Sequence, residues 1–501
     1  MSTAQTGVSN HTESIERLAG LHDRAGFLLD ELDRLQPAQN EVAASAYREL
    51  KIVYENKDFA VSASSASELF GIRSILEGGQ PGFLTTNLTG DQALRDAALE
   101  VQTIARLSPG GPFFRIADPA VGLPALDSRA TGAPALDDLA GGPAFIRIDP
   151  RVADMTPATA IQFAELLIAE ARLDSRIAID RAEVSVNLGY SILRNSKGIV
   201  NGRAGASFSF YIMGMAREGE QVTSFDYDGE TVFAFEEIEE NIRTAVGRFR
   251  DSVLRALNPE KGASYKGAVL LHPRTAMSLI GGVASVNCNA RLHQDGISPW
   301  RERVGESVAR SELSVFEEPS NADRPRGFRP FDREGVATRR HELIAGGKLN
   351  HIAHNCYTAA RESEASDSPF ISTGNATGGT GSQPAVGFSN PGIAIVAADS
   401  TGSDVRVLSE DELFRAAGDV LLLQRFSGNT DHTSGNFSGV AKNSCLLRAG
   451  ERGPAVKEMM VQGDSFALLQ SIVAAGETTH ELMSGGTAPY VLVDGLSVTA
   501  G

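Results

Sequence analysis

The densest group of potential metal ligands and nucleophiles in the chain is His351-Ile-Ala-His354-Asn-Cys356. Imidazole nitrogen and thiolate sulfur are ligands that zinc takes in proteins. On a helix His351 and His354 would share a face, whereas on a strand His354 and Cys356 would share one. Because no single regular element presents all three, we expect hydrogen-bonded support of a neighbouring loop, with metal binding as the alternative.

A second histidine group begins like the helix motif of zinc proteases. It reads His341-Glu342-Leu-Ile-Ala-Gly346, and alanine and glycine stand where the second histidine of that motif is needed. A single imidazole beside one carboxylate does not make a zinc site. We therefore predict a partly exposed structural pair at His341 and Glu342.

Residue types of a nucleophilic triad stand close together near residue 430. Asp431-His432 is flanked by Ser427 and Ser434. Triads are assembled from distant segments, and the chain contains no G-x-S-x-G elbow. The sequence predicts a turn capped by side chains here.

The chain also lacks a G-x-x-x-x-G-K-S/T loop, so the glycine-rich run 374–381 is interpreted as a lid or a peptide-facing loop.

Composition limits the function classes before any element is placed. The chain has 501 residues with 42% hydrophobic and 22% charged residues, which predicts a globular protein of two domains. The net charge of −17 and the absence of a Lys/Arg-dense stretch argue against nucleic-acid binding. We expect no membrane span and no signal peptide, and three cysteines fit a reducing compartment, so a cytoplasmic location is predicted.

The first half alternates helical and strand-like patterns. Apolar spacing and turn residues predict a helix over 12–36, strands over 47–86, a helix from Asp91 to Leu107, a surface loop over 119–143, a helix over 157–173, strands over 182–217 broken at 195–198, and a helix over 235–257. We predict an N-terminal α/β domain over residues 1–258.

The second half is rich in glycine, serine, asparagine and short apolar runs. Gly267–Val286 is typical of a strand that runs into a helix. We expect a long loop over 364–392, and mainly strands over 392–500 with helices at 410–417 and near 465–474. This predicts a β-rich C-terminal domain over residues 263–501 and an α+β fold overall.

Several strings, taken in order and spacing, resemble the TldD/PmbA (TldD/TldE) family. In the first half they are Gly71-Ile-Arg73, Gly82-Phe83, Ala105-Arg-Leu-Ser-Pro109 and Arg194-Asn-Ser-Lys-Gly198. In the second half they are Phe331-Asp-Arg-Glu-Gly335, Thr338-Arg-Arg340, Leu343-Ile-Ala-Gly-Gly-Lys-Leu349, Tyr357-Thr-Ala359, Ser372-Thr-Gly-Asn-Ala376, Ser427-Gly-Asn429, Ser434-Gly-Asn-Phe-Ser438 and Val491-Leu-Val-Asp-Gly-Leu-Ser-Val498. The resemblance implies a zinc-bearing TldD-like partner and a shared chamber that cleaves unfolded or small peptides or matures a peptide precursor.

The chain departs from this family at the metal site. Metal-bearing members carry H-E-x-x-x-H on the helix that follows the strand, and these positions fall here on Gly281, Gly282 and Val286. The late cysteine of the metal-bearing subunit aligns, without gaps from Pro489–Asp494, with Ala475. The resemblance therefore points to the TldE/PmbA-type subunit, with no catalytic residue, metal or cofactor of its own and with zinc in the partner.

Two backbone-rich strings are the first choice for substrate contact. They comprise Ser372, Thr373, Gly374 and Asn375 in one case, and Ser427, Gly428 and Asn429 in the other. An extended peptide is held by main-chain hydrogen bonds at a sheet edge, where small residues let the backbones approach. The alternative is that both strings only form turns of the β-rich domain.

These observations leave three hypotheses. The leading one is a metal-free subunit of a heteromeric TldD/TldE zinc peptidase acting on unfolded or small peptides, with neither nucleic acid nor membrane as partner. The second is a homodimeric peptide-binding scaffold without peptidase activity. The third is an independent enzyme that uses His351, His354 and Cys356.

Overall fold

The computed structural model describes residues 10–36, 38–55, 58–119, 144–366, 368–397, 404–457 and 459–501. The described strands between residues 38 and 232 form one sheet, and those between residues 265 and 499 form three further sheets. The predicted domain boundary at 258–263 lies in the connection between these two sets of strands. The loop predicted over 119–143 falls almost wholly outside the described residues.

The N-terminal half is a helix-covered sheet of long antiparallel strands. Its strands are β1 (Ala38–Glu55), β2 (Asp58–Leu76), β3 (Pro81–Thr86), β4 (Ala144–Arg147), β5 (Ile177–Asn195), β6 (Val200–Glu218), β7 (Gln221–Val222) and β8 (Asp226–Val232). The sheet order is β3-β2-β1-β5-β6-β4, β7 and β8 also pair with β6, and β4 runs parallel to β6. Its helices are α1 (Asn10–Leu35), α2 (Asp91–Leu107), α3 (Pro150–Ala153), α4 (Pro157–Ala171) and α5 (Ile238–Arg255), the last preceded by a 3₁₀ turn, Phe235–Glu237.

The two faces of this sheet differ because side chains alternate along each strand. On β5, Val184, Val186, Leu188 and Ile192 are buried in the core beneath the helices. Helix α1 covers that face with Leu18, Leu21, Leu28 and Leu32, all fully buried. Burying each such leucine contributes about 1.5–3 kcal/mol. The opposite face of the sheet is left to small and polar residues, which matters for the site below.

The C-terminal half combines short strands with short helices. Its strands are β9 (Tyr265–Leu271), β10 (Leu313–Glu317), β11 (His341–Ala345), β12 (Lys348–Leu349), β13 (Ala376–Thr377), β14 (Ala385–Val386), β15 (Pro391–Ile395), β16 (Arg406–Leu408), β17 (Leu421–Leu423), β18 (Arg425–Thr430), β19 (Asn436–Lys442), β20 (Cys445–Arg448), β21 (Glu451–Ala455), β22 (Met460–Asp464), β23 (Ile472–Gly476), β24 (His480–Glu481), β25 (Thr487–Ala488) and β26 (Val491–Thr499). Its helices are α6 (Pro273–Ala276), α7 (Gly282–Asn287), α8 (Ala290–Gln294), α9 (Cys356–Ser366), α10 (Glu410–Ala417) and α11 (Ser465–Gln470), and a π-helical turn, Met277–Gly281, joins α6 to α7.

Two of the C-terminal sheets enclose most of the core of this half. One has the order β12-β11-β10-β15-β25-β24, and the other runs β18-β19-β22-β26-β9-β17-β20-β21, with β23 pairing with β26 and β16 with β23. The strands β13 and β14 form a separate hairpin. Strand β18 therefore stands at one edge of the larger sheet.

The α+β fold class and the periodic elements predicted from the sequence are confirmed. The predicted helices correspond to α1, α2, α4, α5, α10 and α11, and the strand leading into a helix at 267–286 is β9 followed by α6 and α7. The loop predicted over 364–392 is wrong in part, because α9 extends to Ser366 and the β13–β14 hairpin lies within it. Strands of two residues leave no periodicity in a sequence.

Helices long and apolar enough to cross a bilayer are absent from the part of the chain that the structure describes.

Candidate functional site

The helix where the zinc motif is missing is filled by neighbouring side chains. A Cβ added at Gly281 would lie 2.4 Å from Met277 Sδ, and one at Gly282 would lie 2.6 Å from His432 Cε1. Such separations are far shorter than carbon contacts of 3.5–4.0 Å. The space that a ligand side chain would need at either position is therefore already occupied.

His432, which occupies the space beside Gly282, belongs to the turn between β18 and β19. Asn287 Nδ2 donates to the His432 carbonyl at 2.7 Å, which ties this turn to α7. The Asp431 carboxylate accepts from Thr433 N at 2.9 Å and from Ser434 N at 3.3 Å. Hydrogen bonds from the side chains of Thr433 and Ser434, together with these backbone bonds, lower the pKa of Asp431. Burial lowers the pKa of His432. This is the side-chain-capped turn that the sequence predicts.

The position aligned with the late cysteine is also closed. Ala475 lies on β23 with none of its surface exposed, and it pairs with Val407 of β16 and Val491 of β26. Val286, the third position of the helix motif, is half-buried on α7. These side chains have no donor atoms for a metal.

Of the predicted partly exposed pair, His341 is buried, with only 9% of its surface exposed. Glu342 is partly exposed, with 34% of its side chain accessible, and it pairs with Arg340. The Nε2 atom of His341 lies 2.7 Å from the Thr373 carbonyl, and the His341 ring stacks on His351 with centroids 4.2 Å apart. Burial and the neighbouring imidazole lower the pKa of His351 to about 3. Two stacked imidazolium ions would repel each other, so both rings are neutral near pH 7.

The sequence cluster His351, His354 and Cys356 is divided between several local structures. His351 belongs to the stack, His354 is buried beside Phe370, and Cys356 opens α9 with its N–H donating to Glu334 Oε2 at 2.8 Å. Burial raises the pKa of the Cys356 thiol, which keeps it from acting as a thiolate. Within the described residues no three His, Cys, Asp or Glu side chains are grouped as metal ligands. The absence of a metal in this chain stays a prediction.

The first predicted substrate string is buried and serves the surrounding loops. Ser372, Thr373 and Asn375 are 6%, 8% and 1% exposed. Thr373 N donates to the His354 carbonyl at 3.1 Å, and His354 N donates to Thr373 Oγ1 at 2.9 Å. Gly374 has a φ of +80°, which favours glycine. Substrate contact at this string stays a prediction, and its burial weighs against it.

The second predicted string lies on an exposed sheet edge. Ser427, Gly428 and Asn429 form the centre of β18 and are exposed. Gly428 pairs with Gly439 of β19, and a Cβ on it would lie 2.3 Å from Gly439 Cα. Strand β18 starts where Thr275 of α6 donates to the Gln424 carbonyl at 3.1 Å. A peptide added to this edge would therefore run beside the helix that lacks the zinc motif, although substrate contact here also stays a prediction.

The two halves of the chain meet in a buried charge network, which we call the junction. Arg73 on β2 donates to Glu41 on β1 at 2.9 Å and to Glu334 at 3.0 Å, and Arg333 donates to the other oxygen of Glu41 at 3.0 Å. Neither glutamate side chain is more than 1% exposed. The nearby Asp332 accepts from the backbone N–H groups of residues 334, 336 and 376, while burial and repulsion by Glu334 raise its pKa.

Beside the junction, an open cleft of about 590 Å³ lies between the uncovered face of the N-terminal sheet and the loop 325–333. Its floor consists of Ser45, Gly189, Ser191, Gly205 and Ser207. These residues alternate with core residues along β1, β5 and β6, so their side chains share one face. Glycines and serines leave the backbone of the floor accessible.

The walls of the cleft are aromatic and basic. Phe145 contacts Phe328 and Phe331 with centroid distances of 6.4 and 6.3 Å. Tyr47 donates a hydrogen bond to Asn187 at the opposite rim. Arg203 on β6 and Arg329 face the same space.

Sequence reasoning missed the cleft and most of its lining residues. The glycine-rich run 374–381, interpreted as a lid or a peptide-facing loop, does contribute Gly378, Gly379 and Thr380 to the lining. The signal that such reasoning could have used is the alternation on β5 and β6, where small residues such as Gly189, Ser191 and Gly205 stand opposite a continuous apolar set. An uncovered face of two glycines and three serines on neighbouring strands indicates a surface reserved for something other than the core. Nothing in that pattern shows that the loop 325–333 covers it.

Comparison with solved structures shows which known proteins share this fold. The structure of TldE from Thermococcus kodakarensis superimposes with a TM-score of 0.78 and 16% identity, covering 95% of this chain and 100% of that one. A putative modulator of a DNA gyrase from Thermotoga maritima superimposes with a TM-score of 0.74 and 18% identity, covering 98% and 100%. At these identities the likeness shows a shared fold.

Sequence comparison then gives the family. Residues 264–500 match the PmbA/TldA metallopeptidase C-terminal domain. The C-terminal half of the chain therefore carries the domain of this metallopeptidase family. A metalloprotease of Archaeoglobus fulgidus is 25% identical over 178 residues, which cover 35% of this chain and 37% of that protein. The chain spans less than half the length of the curated relatives it matches.

Proposed function

We propose that this chain is the metal-free, TldE/PmbA-type subunit of a two-subunit zinc peptidase that cleaves unfolded or small peptides. The observation that carries the proposal is the filled helix motif, because Met277 and His432 occupy the space next to Gly281 and Gly282. A hydrolytic zinc site needs several protein ligands, an open coordination position and a carboxylate to activate water. The partner subunit supplies these groups.

In this proposal the chain contributes a wall of the chamber and an edge for the peptide. Strand β18 offers the edge, because its central residues are exposed and small on the outer side of the sheet. Main-chain hydrogen bonding at an edge is independent of side-chain sequence. This suits a peptidase that acts on unfolded peptides of varied sequence.

Affinity capture of the full chain from its native cells, followed by mass spectrometry, tests the assembly. We expect a near-stoichiometric companion that carries H-E-x-x-x-H. The two purified subunits should hydrolyse peptides together and neither should do so alone. Recovery of this chain at homodimer mass, without a companion, would overturn the heteromeric peptidase and favour a homodimeric peptide-binding scaffold.

The edge is tested by placing charges on β18. We expect the double variant Ser427→Lys with Asn429→Lys to lower peptide turnover by the assembled complex about tenfold or more, because lysines on an edge strand oppose strand addition. The matched control is Ser434→Lys on the exposed turn that follows β18. Equal turnover in the double variant and in wild type would remove the edge from the proposal.

A further inference from the structure

We infer that the cleft between the N-terminal sheet and the loop 325–333 binds a carboxylate of an extended peptide through Arg203 and Arg329. The inference rests on the proposed function only for the peptide nature of the ligand. The site is separate from strand β18 and from the helix that lacks the zinc motif.

The first observation is that the two guanidinium groups have unused hydrogen-bond donors. Among the described residues Arg203 makes no hydrogen bond or ion pair, and its side chain is exposed to the cleft. Arg329 has Nε and Nη2 buried without a partner, and its Nη1 reaches Thr377 Oγ1 at 3.5 Å. Leaving a buried charged donor unpaired carries the full desolvation cost of that group. A bound anion would remove that cost.

The second observation concerns the counterions of these two arginines. No carboxylate of the described residues lies within ion-pair distance of either guanidinium. Of the two carboxylates near the cleft, Asp332 accepts from backbone N–H groups, and Glu317 accepts from Ser389 N at 2.8 Å. Burial raises the pKa of Glu317, and the charge of Arg329 acts against that rise without an ion pair between the two side chains. Desolvation by the cleft walls, together with repulsion by Arg329, lowers the pKa of Arg203.

The third observation is the shape of the cleft. Its volume of about 590 Å³ lies within the range of about 300–1,000 Å³ typical of ligand pockets. A Cβ atom added at Gly189 or Gly205 would lie 3.9 or 3.6 Å from its nearest neighbour, which is ordinary van der Waals contact. The glycines are therefore not needed to avoid a steric clash, and their effect is to make the cleft deeper. This gives an extended main chain room above the floor. Phe145 and Phe328 offer an apolar wall to the side chain next to the carboxylate.

The charge of the whole chain favours a single carboxylate over a polyanion. A net charge of −17 repels nucleic acids at a distance, whereas a short peptide with one free carboxylate is repelled little. The planar guanidinium matches a carboxylate with two parallel hydrogen bonds. The C-terminal carboxylate and an acidic side chain share this chemistry.

The experiment measures peptide binding to the isolated full chain by fluorescence anisotropy. The probes are a labelled hexapeptide that ends in a phenylalanine free acid and the same peptide with a C-terminal amide. We expect the free acid to bind at least about tenfold more tightly, equal to about 1.4 kcal/mol. Arg203→Gln and Arg329→Gln should each remove that preference. Arg217→Gln, at an exposed position on the same strand β6, should leave it unchanged.

A third peptide distinguishes the two carboxylate sources. It carries glutamate before an amidated phenylalanine. Tight binding of this peptide would show that the cleft accepts an acidic side chain. Weak binding would show that the cleft requires the C-terminal carboxylate. Equal binding of the free acid and the amide by wild type, or an unchanged preference in both variants, would overturn the inference. Competition by inorganic phosphate without any peptide preference would also overturn it.

Two further measurements keep the outcome clear. Thermal unfolding should show that Arg203→Gln is as stable as wild type or more stable, since it removes an unpaired charge. Should that variant fail to fold, Arg203→Lys provides the test, with partial retention of the free-acid preference expected. Turnover by the assembled complex without peptide binding to this chain would reject the cleft and retain the proposed function. Peptide binding at the cleft without a zinc-bearing companion would retain the cleft and reject the proposed function.

Discussion

The junction and the cleft lie side by side, and they use arginine in opposite ways. In the junction Arg73 and Arg333 are at most 11% exposed, and each donates to a carboxylate. In the cleft, neither Arg203 nor Arg329 forms an ion pair with a carboxylate of the described residues. The difference separates arginines that hold the two halves of the chain together from arginines that are available to a ligand.

Removing an arginine of the junction is the test of this difference for which we expect the largest effect. Arg73→Ala should lower the free energy of unfolding by about 3–5 kcal/mol, because Glu41 and Glu334 would be left buried with less compensating charge. Urea unfolding of the full chain measures the change. Arg203→Gln is the control from the cleft and should lose nothing.

A loss of less than about 1 kcal/mol in Arg73→Ala, as expected for an exposed ion pair, would contradict the distinction between the two regions. The same would hold if Arg203→Gln destabilised the chain as much as Arg73→Ala.

The surroundings of Gly282 differ from the cleft in packing. Side chains pack closely against the helix at Gly282, whereas the cleft is open. Gly282→Ala should destabilise the chain by about 1–3 kcal/mol, because the added methyl group displaces the His432 ring. In a double-mutant cycle, His432→Ala should recover most of that loss. Additive effects of the two substitutions would show that the ring can move aside freely.

The smallest expected effect concerns the neutral histidines of the filled interior. Burial lowers the pKa of His351 to about 3 and that of His354 to about 4. Below pH 6.5 the unfolded chain binds these protons and the folded chain does not, so stability falls as the pH falls from about 6.5 towards those values. The loss is about 0.8 kcal/mol per histidine at pH 6.

Unfolding curves from pH 8 to pH 5 measure this effect. His351→Gln should reduce the slope of stability against pH, whereas Arg203→Gln should leave it unchanged. An unaltered slope in His351→Gln would mean that the stacked ring is not kept neutral by its surroundings.

The sequence predicted the helices and strands that are long enough to show a periodic spacing of apolar residues. Helix α2 was predicted with the bounds that the structure gives, Asp91–Leu107, because its apolar spacing ends before Ser108-Pro109. The β13–β14 hairpin was not predicted, because two residues per strand carry no period. The missing zinc motif was visible in Gly281 and Gly282, whereas the residues that fill its place could not be read from the sequence.

The candidate site was predictable only in part, for a related reason. Strand β18 was found through its small residues, Ser427 to Asn429. The cleft depends on Arg203 and Arg329, which stand 126 positions apart in the sequence and come from different halves of the chain. Local sequence patterns do not report such pairs, and the lack of an ion pair at these arginines among the described residues is visible only in the folded chain.

The packing of His432 against Gly282 also bears on how this chain can change over generations. Regaining a zinc site would require new side chains at 281, 282 and 286, and the first of these steps would meet occupied space at Met277 or His432. Under the proposed function, each intermediate would still lack a complete set of zinc ligands, so selection would have no hydrolytic gain to retain. Under the proposed function the filled helix would act as a ratchet, and this chain would depend on a second gene for hydrolysis.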